Sequence, residues 1–121
     1  MDKGFEQIIS WKKARKLNKE IYRVTSHRNF SKDFSLRDQI RRASISISSN
    51  IAEGFGRKTK KEFIYFLNVA QASCYEVRSQ LYLALDIDYL SKEEFKEMYH
   101  LCDEISRTLH GLIKHLENKN Y

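Results

Sequence analysis

The chain of 121 residues contains no proline and only four glycines. A many-stranded β fold needs more turn-forming residues than this. No run approaches the roughly 18 consecutive apolar residues of a membrane span, and the N-terminus lacks the apolar core of a secretory signal. We therefore expect an all-α protein of the cytoplasm that has no membrane partner.

Cysteine is also scarce. The two cysteines, Cys74 and Cys102, are too few for a disulfide framework. Both occupy apolar positions of predicted helices, so we expect them to be reduced and buried.

Charge is abundant but unevenly distributed, with a net value of +6 over the whole chain. Residues 1–61 hold 16 Lys and Arg against 6 Asp and Glu, whereas residues 62–121 hold 6 against 10. A basic half favours a surface that faces a polyanion, because Lys and Arg displace counterions from phosphates. The alternative is that these charges keep the protein soluble or neutralise one another between helices or subunits.

Apolar residues recur at alternating three- and four-residue spacing in four stretches, which is the pattern of amphipathic helices. In the last two stretches the pattern repeats every seven residues, which favours shallow-angle packing of antiparallel neighbours. We predict a single domain over residues 1–121, an up-down antiparallel four-helix bundle. Its helices should span about residues 6–26, 35–53, 60–86 and 91–118.

Polar residues at the expected positions mark the ends of these helices. Ser35 is the predicted N-cap of the second helix, and Gly54 is predicted to end it in the left-handed conformation. Two capping boxes should open the third and fourth helices. They are Thr59 with Glu62, and Ser91 with Glu94.

Basic side chains follow the first helix opposite its apolar face. Glu20 is the only acid within residues 11–26, so this stripe is predicted to lack neutralising neighbours on its own helix. Further cations lie on the second helix and in the loop after Gly56, where a glycine turn and four cations form a candidate anion site. The alternative for this loop is a solvated basic turn. The predicted phosphate-binding residues are Lys12, Lys16, Lys19, Arg23, Arg37, Arg41, Arg57, Lys58, Lys60 and Lys61.

Three tyrosines lie on the third helix, roughly opposite its core stripe. Aromatic residues are enriched at protein interfaces, so we predict that Tyr65, Tyr75 and Tyr82 form a contact between subunits. Base stacking is the less favoured alternative, because only Arg78 interleaves with them.

Catalytic chemistry has little support in the sequence. Glu97 and His100 form a single Glu-x-x-His pair, whereas di-iron bundles need two such pairs and further inward glutamates. The glycines at 54 and 56 lack the third glycine and the preceding strand of a dinucleotide site. We predict no enzyme activity, no metal and no cofactor.

The segment RRASISISSNIAEGFGR, residues 41–57, resembles the signature of the bacterial four-helix-bundle family encoded by intervening sequences of 23S ribosomal RNA genes. The resemblance extends over nearly the full chain. It departs from the family where Ser48 stands in place of a common proline and Asp88 in place of a glycine. Asp88 is predicted to keep the left-handed turn conformation of that glycine, because a short polar side chain tolerates it. The matching motif positions, with either a structural or a functional role, are Asn50, Glu53, Gly54 and Arg57.

The resemblance implies a cyclic homopentamer without catalytic residues. Related accessory variability proteins of diversity-generating retroelements are basic pentamers that bind nucleic acid and a reverse transcriptase, so such partners are expectations here. Asn50 and Glu53 are predicted either to cap the next helix or to bind a neighbouring subunit. Glu76 is predicted to pair with an arginine such as Arg42.

We therefore predict a non-enzymatic, homo-oligomeric protein that binds RNA or DNA through its phosphates, without strong reading of bases. The alternative is a protein–protein adaptor or assembly scaffold that has no physiological nucleic-acid binding.

Overall fold

The computed structural model describes residues 4–118 and contains five α-helices and one short 3-10 turn, with no strand among those residues. Four long helices form the bundle, and a one-turn helix joins the first two of them. The elements are the 3-10 turn Phe5–Gln7, α1 (Ile9–Thr25), α2 (Arg28–Lys32), α3 (Phe34–Phe55), α4 (Lys60–Asp86) and α5 (Lys92–Asn118).

The four long helices pack in the cyclic order α1, α3, α4, α5, since each of them contacts the next and α5 returns to α1. This arrangement confirms the predicted all-α single domain. No helix within residues 4–118 is long and apolar enough to cross a bilayer.

The predicted core stripes of the first three long helices are buried, apart from Phe63, which is half-buried. On α5 the predicted stripe is fully buried only from Met98 to Leu109. Ile113 is buried near the end of the helix, whereas three predicted members are only partly covered, namely Phe95, Leu112 and Leu116. A straight helix has 3.6 residues per turn rather than 3.5, so a heptad stripe drifts around it. The drift moves the core position on α5 by one residue near its end.

Both cysteines are free and buried, as predicted. Cys74 on α4 donates from Sγ to the Cys102 carbonyl oxygen on α5 at 3.2 Å. The contact with Cys74 and burial together raise the pKa of the Cys102 thiol, which favours its protonated form.

The start of α3 differs from the prediction. Its N-cap is Asp33 rather than Ser35, and the Asp33 carboxylate accepts from the Leu36 N–H at 3.1 Å. The same carboxylate accepts from the Tyr89 hydroxyl at 2.9 Å, which raises the pKa of Tyr89. Phe30 in α2 is buried and stacks on the Tyr89 ring. The sequence gives no strong signal for α2 because tertiary contacts stabilise this single turn.

The end of α3 also corrects the prediction for Gly54. The helix continues through Gly54 to Phe55, and no glycine within residues 4–118 has a positive φ. A Cβ atom at Gly54 would lie 2.7 Å from Cβ of Phe66, so this glycine allows α3 and α4 to approach closely. In contrast, Asp88 after α4 does take the predicted left-handed conformation, with φ of 65°.

Both predicted capping boxes are present. The Thr59 hydroxyl accepts from the Glu62 N–H at 3.1 Å. The second box is reciprocal, since the Ser91 hydroxyl accepts from the Glu94 N–H and the Glu94 carboxylate accepts from the Ser91 N–H, both at 3.0 Å. These contacts satisfy backbone donors that the first helical turn leaves free.

Candidate nucleic-acid interface

A polar seam fixes α1 against α3. The buried Ser44 hydroxyl donates to Oδ1 of Asn18 at 2.6 Å, and Nδ2 of Asn18 donates to the Ser48 hydroxyl at 3.0 Å. Ser48 also donates to the Ile45 carbonyl within an unbroken α3. These serines therefore serve the contact between α1 and α3.

Arg41 extends this seam to the surface. Its Nε donates to the Thr25 hydroxyl at 2.8 Å and its Nη2 to the Ser26 hydroxyl at 3.3 Å, while the guanidinium carbon lies 4.3 Å from the centre of the Tyr22 ring. These neighbours hold the guanidinium in place. No carboxylate within residues 4–118 pairs with it, so none of those residues neutralises its charge. Three of its five N–H groups remain for another acceptor.

A shallow groove of about 310 Å³ lies beside Arg41, between α1 and α3. Arg42 lines it, is exposed, and makes no ion pair with any residue in 4–118. The one acid of the groove, Asp38, accepts from Nε of Arg37 at 2.9 Å. Arg37 also donates to the Ser31 carbonyl and is half-buried. The groove lining consists of Tyr22, Asp38, Arg41, Arg42 and Ile45.

Arg42 is a candidate that the predicted phosphate-binding set omits, because a carboxylate partner on α4 was expected for it. The expected ion pair with Glu76 is not among the contacts of residues 4–118. Glu76 instead accepts from Gln80 at 3.2 Å, although Arg42 and Glu76 line one small groove between α3 and α4. The only sequence signal for Arg42 as a binding residue is its position next to Arg41, which places two cations on adjacent sides of one helix.

On the flank of α1 that faces α5, carboxylates pair with the cations. Lys13 pairs with Glu104 at 3.3 Å, and Arg23 pairs with Glu20 at 2.8 Å and with Glu94 at 3.6 Å. The hydrogen bond to Glu20 raises the pKa of Arg23. The expectation that the stripe lacks neutralising neighbours is therefore wrong at Arg23.

Lys16 borders the same acid-lined groove between α1 and α5. Glu20, Glu97 and Glu104 lie there with His100, whose imidazole is 3.4 Å from Glu104. Lys16 makes no ion pair of its own within residues 4–118, but its surroundings are acidic.

Two other predicted lysines, Lys12 and Lys19, are exposed on the outer face of α1. Neither lysine side chain makes a hydrogen bond or ion pair within the described part of the chain. Arg15 lies on the same helix, with its guanidinium 5.9 Å from the Trp11 ring centre. The basic half therefore has two surfaces whose cations are not paired with carboxylates in the described residues. They are the flank of α1 that faces α3 and the outer face of α1.

The basic loop lies at the other end of the bundle. Arg57 pairs with Glu53 at 2.8 Å and lies 4.7 Å from the Phe66 ring centre. Lys58 and Lys61 are exposed, and Lys60 is half-buried. Arg37 lies near the start of α3, and Arg57 follows its end, so that nearly the whole helix, about 30 Å, separates them. The structure therefore does not unite the two basic groups in one small site.

The family-motif residues serve the junction of α3 and α4. Nδ2 of Asn50 donates to the Ser46 carbonyl at 2.8 Å and to the Ser46 hydroxyl at 2.9 Å, which also accepts from Ser73 across the helix interface. Asn50 and Glu53 do not cap α4, since Thr59 has that role.

All three predicted interface tyrosines are exposed, by 63% for Tyr65, 55% for Tyr75 and 49% for Tyr82. They do not form a straight line. Tyr82 contacts the Phe95 ring on α5, whereas Tyr65 contacts its neighbour Phe66. The exposed aromatic surface therefore extends from the outer side of α4 towards α5.

The described residues were also compared with the requirements of a metal site and of a catalytic site. No cluster of three His, Cys, Asp or Glu side chains within residues 4–118 could hold a metal ion. The Arg78 guanidinium donates to the Tyr99 hydroxyl at 2.7 Å and lowers the pKa of Tyr99. This pair joins α4 to α5, and the Asp103 carboxylate lies near it.

The family model described as 23S rRNA-intervening sequence protein matches residues 6–111. A crystal structure of a protein of unknown function from the S23 ribosomal protein family of Bacteroides thetaiotaomicron superposes with a TM-score of 0.81 at 26% identity. The match covers 88% of this chain and 96% of that one. No curated protein matches the chain.

Proposed function

The chain belongs to the family of 23S rRNA-intervening sequence proteins, and from that premise we propose that it is a non-enzymatic, homo-oligomeric protein of the cytoplasm that binds RNA or DNA. Binding is directed to phosphates, and the main contact surface is the face formed by α1 and α3. The observation that carries the proposal is the pair Arg41 and Arg42, two adjacent arginines without a carboxylate partner within residues 4–118.

The chemistry of this face suits a single-stranded nucleic acid. Arg41 is held by two hydroxyls and the Tyr22 ring, so little side-chain entropy is lost when it binds a phosphate. Tyr22 is 42% exposed and provides an aromatic surface beside the two arginines, a combination on which bases stack. Lys12 and Lys19 extend the positive surface along α1 and add phosphate contacts that carry no sequence information.

Homo-oligomerisation strengthens such binding. Each patch alone makes a few phosphate contacts, and several patches in one assembly act on the same strand at a high effective concentration. The exposed tyrosines of α4 support a subunit contact, because aromatic residues are enriched at interfaces.

The binding proposal is tested by removing the two arginines. We expect the variant R41A/R42A to bind labelled single-stranded RNA at least tenfold more weakly at low salt, and the slope of log K against log salt to fall by about two. Fluorescence anisotropy across a salt series measures both quantities, with RNA and DNA compared in parallel.

The matched control is K13A/R107A, which removes two cations that are paired with Glu104 and Asp103. It should change the affinity less than threefold, because these charges are already neutralised. R42A alone is the second variant, since the Arg42 side chain makes no hydrogen bond or ion pair within residues 4–118 that its loss would break. Equal weakening by both double variants, or no binding of the wild type at physiological salt, would contradict the proposal and leave the adaptor alternative.

A further variant tests whether the basic loop, residues 57–61, contacts the nucleic acid. Replacement of Arg57, Lys58, Lys60 and Lys61 by alanine should weaken binding and lower the salt slope if the strand also reaches this end of the bundle. An unchanged slope would exclude the loop from the contact surface.

Oligomerisation has a separate test. Replacing Tyr65, Tyr75 and Tyr82 with serine should give a smaller species by light scattering, because it removes exposed aromatic area from the α4 face. Tyr22→Ser on α1 is the control and should leave the mass unchanged. A wild type that is already monomeric at tens of micromolar would contradict the proposed assembly.

A further inference from the structure

An apolar cleft of about 460 Å³ opens where α1 begins, between the ends of the long helices. Small-molecule sites in proteins have volumes of about 300–1,000 Å³, so the cleft is large enough for a ligand. Ile9 and Phe55 are exposed in it, by 59% and 41%. No acidic residue is among its lining, which consists of Gln7, Ile8, Ile9, Ser10, Phe55, Phe63, Thr108 and Leu112.

The N-terminus of α1 lies in this cleft and is uncapped. Ile8 occupies the N-cap position with an extended backbone and has no side-chain acceptor. The first backbone hydrogen bond of the helix runs from the Lys12 N–H to the Ile8 carbonyl. The N–H groups of residues 9–11 therefore have no acceptor within residues 4–118. Free N–H groups and the helix dipole together favour an anion at this position.

A second, independent feature points to a polar ligand group at the same place. Ser10 lines the cleft and is only 2% exposed, and its Oγ has no hydrogen-bond partner within residues 4–118. The other hydroxyl in the lining, Thr108, is satisfied by carbonyl oxygens of its own helix. Buried hydroxyls in folded proteins are nearly always paired, so the orphaned Ser10 hydroxyl marks a site that a ligand completes.

We propose that this cleft binds the carboxylate of a small apolar acid, such as a medium-chain fatty acid. The carboxylate accepts hydrogen bonds from the N–H groups at the start of α1 and from the Ser10 hydroxyl. The apolar chain packs against Ile9, Phe55 and Phe63. Phe55 and Phe63 also flank the basic loop of residues 57–61, which adds positive potential beside the mouth of the cleft.

Octanoate is the probe, and octan-1-ol is the matched ligand that lacks the carboxylate. In amide NMR spectra of the full chain, octanoate should give saturable shifts at Ile9, Ser10 and Trp11. Octan-1-ol should bind at least tenfold more weakly, because it has no charge to place at the helix N-terminus. Equal binding of the two probes, or no saturable shift with octanoate, would overturn the proposal.

Ser10→Ala separates a ligand site from a structural role. It should weaken octanoate binding about fivefold by the loss of one hydrogen bond. The same variant should melt at the same or a higher temperature than the wild type, because it removes a buried hydroxyl that has no partner. Unchanged binding, or a lowered melting temperature, would contradict the assignment.

Ile9→Asp places a carboxylate at the position of the ligand and should abolish octanoate binding. The fold should persist, since an acid in the first turn of α1 is favourable. Phe34→Asp is the matched control, an exposed apolar residue at the first position of α3, and should bind octanoate as the wild type does. A wild type that self-associates through the cleft, with the association lost in Ile9→Asp, would show a second copy of the chain as the occupant and overturn the proposal.

Discussion

Both flanks of α1 include cations, and yet they present different surfaces. On the side of α5, Lys13 and Arg23 are paired with carboxylates. On the side of α3, Arg41 is held by hydroxyls and an aromatic ring and keeps its charge available. The helix packed beside a cation thus determines whether that cation is paired with a carboxylate or keeps its charge unpaired.

The two flanks also differ in how they hold the bundle together. The α3 flank is joined by Asn18 and the fully buried Ser44. The α5 flank is joined by Lys13 and Glu104, each about one-third exposed. Buried hydrogen bonds are costly to break, whereas exposed ion pairs contribute little.

Asn18→Ala is the variant with the largest expected effect on this comparison. It leaves the Ser44 hydroxyl buried without its acceptor and should lower the free energy of unfolding by about 2 kcal/mol. Lys13→Ala, which breaks the α5-side pair, should cost less than about 1 kcal/mol. Urea denaturation followed by circular dichroism measures both values. Equal losses would mean that the two flanks contribute alike.

Much of the fold could be predicted from the sequence because its signals are local. The core stripes of α1, α3 and α4 follow from helical spacing. The two capping boxes follow from residues three positions apart. The left-handed turn at Asp88 was also predictable, since a short polar side chain tolerates that conformation.

The errors lie where one helix meets another. Gly54 has the composition of a helix end, but its role is set by Phe66 on α4, which the local sequence does not reveal. Ser35 is a good N-cap residue, yet Asp33 takes the role because it also accepts from Tyr89, far along the chain. Local propensity is overridden in both cases by tertiary contact.

The candidate site shows the same limit. Exposure of Lys12 and Lys19 could be expected from their positions opposite the core stripe. The pairing of Arg23 with Glu94 could not, because the two residues are 71 positions apart and meet only through the register of α1 against α5. The availability of Arg42 likewise depends on the distance between α3 and α4. Charge composition thus predicts that a basic surface exists, but the packing determines which cations form it.

The last prediction concerns the acids of the α5 flank. Replacing Glu94, Glu97 and Glu104 with glutamine should free Lys13, Lys16 and Arg23 for phosphate contacts. Affinity for single-stranded RNA at low salt should then rise about tenfold, with a steeper salt dependence.

A control with the same change in net charge replaces Asp86, Asp88 and Glu117 with their amides, because these side chains make no hydrogen bond or ion pair with α1 or with Arg42 within residues 4–118. If net charge alone governed binding, this control would gain as much affinity as the α5 variant. We expect it to gain no more than about twofold, because charges farther away than about one Debye length are screened. A tenfold gain in the α5 variant alone would mean that its carboxylates, rather than a lack of cations, keep this flank of α1 from binding nucleic acid.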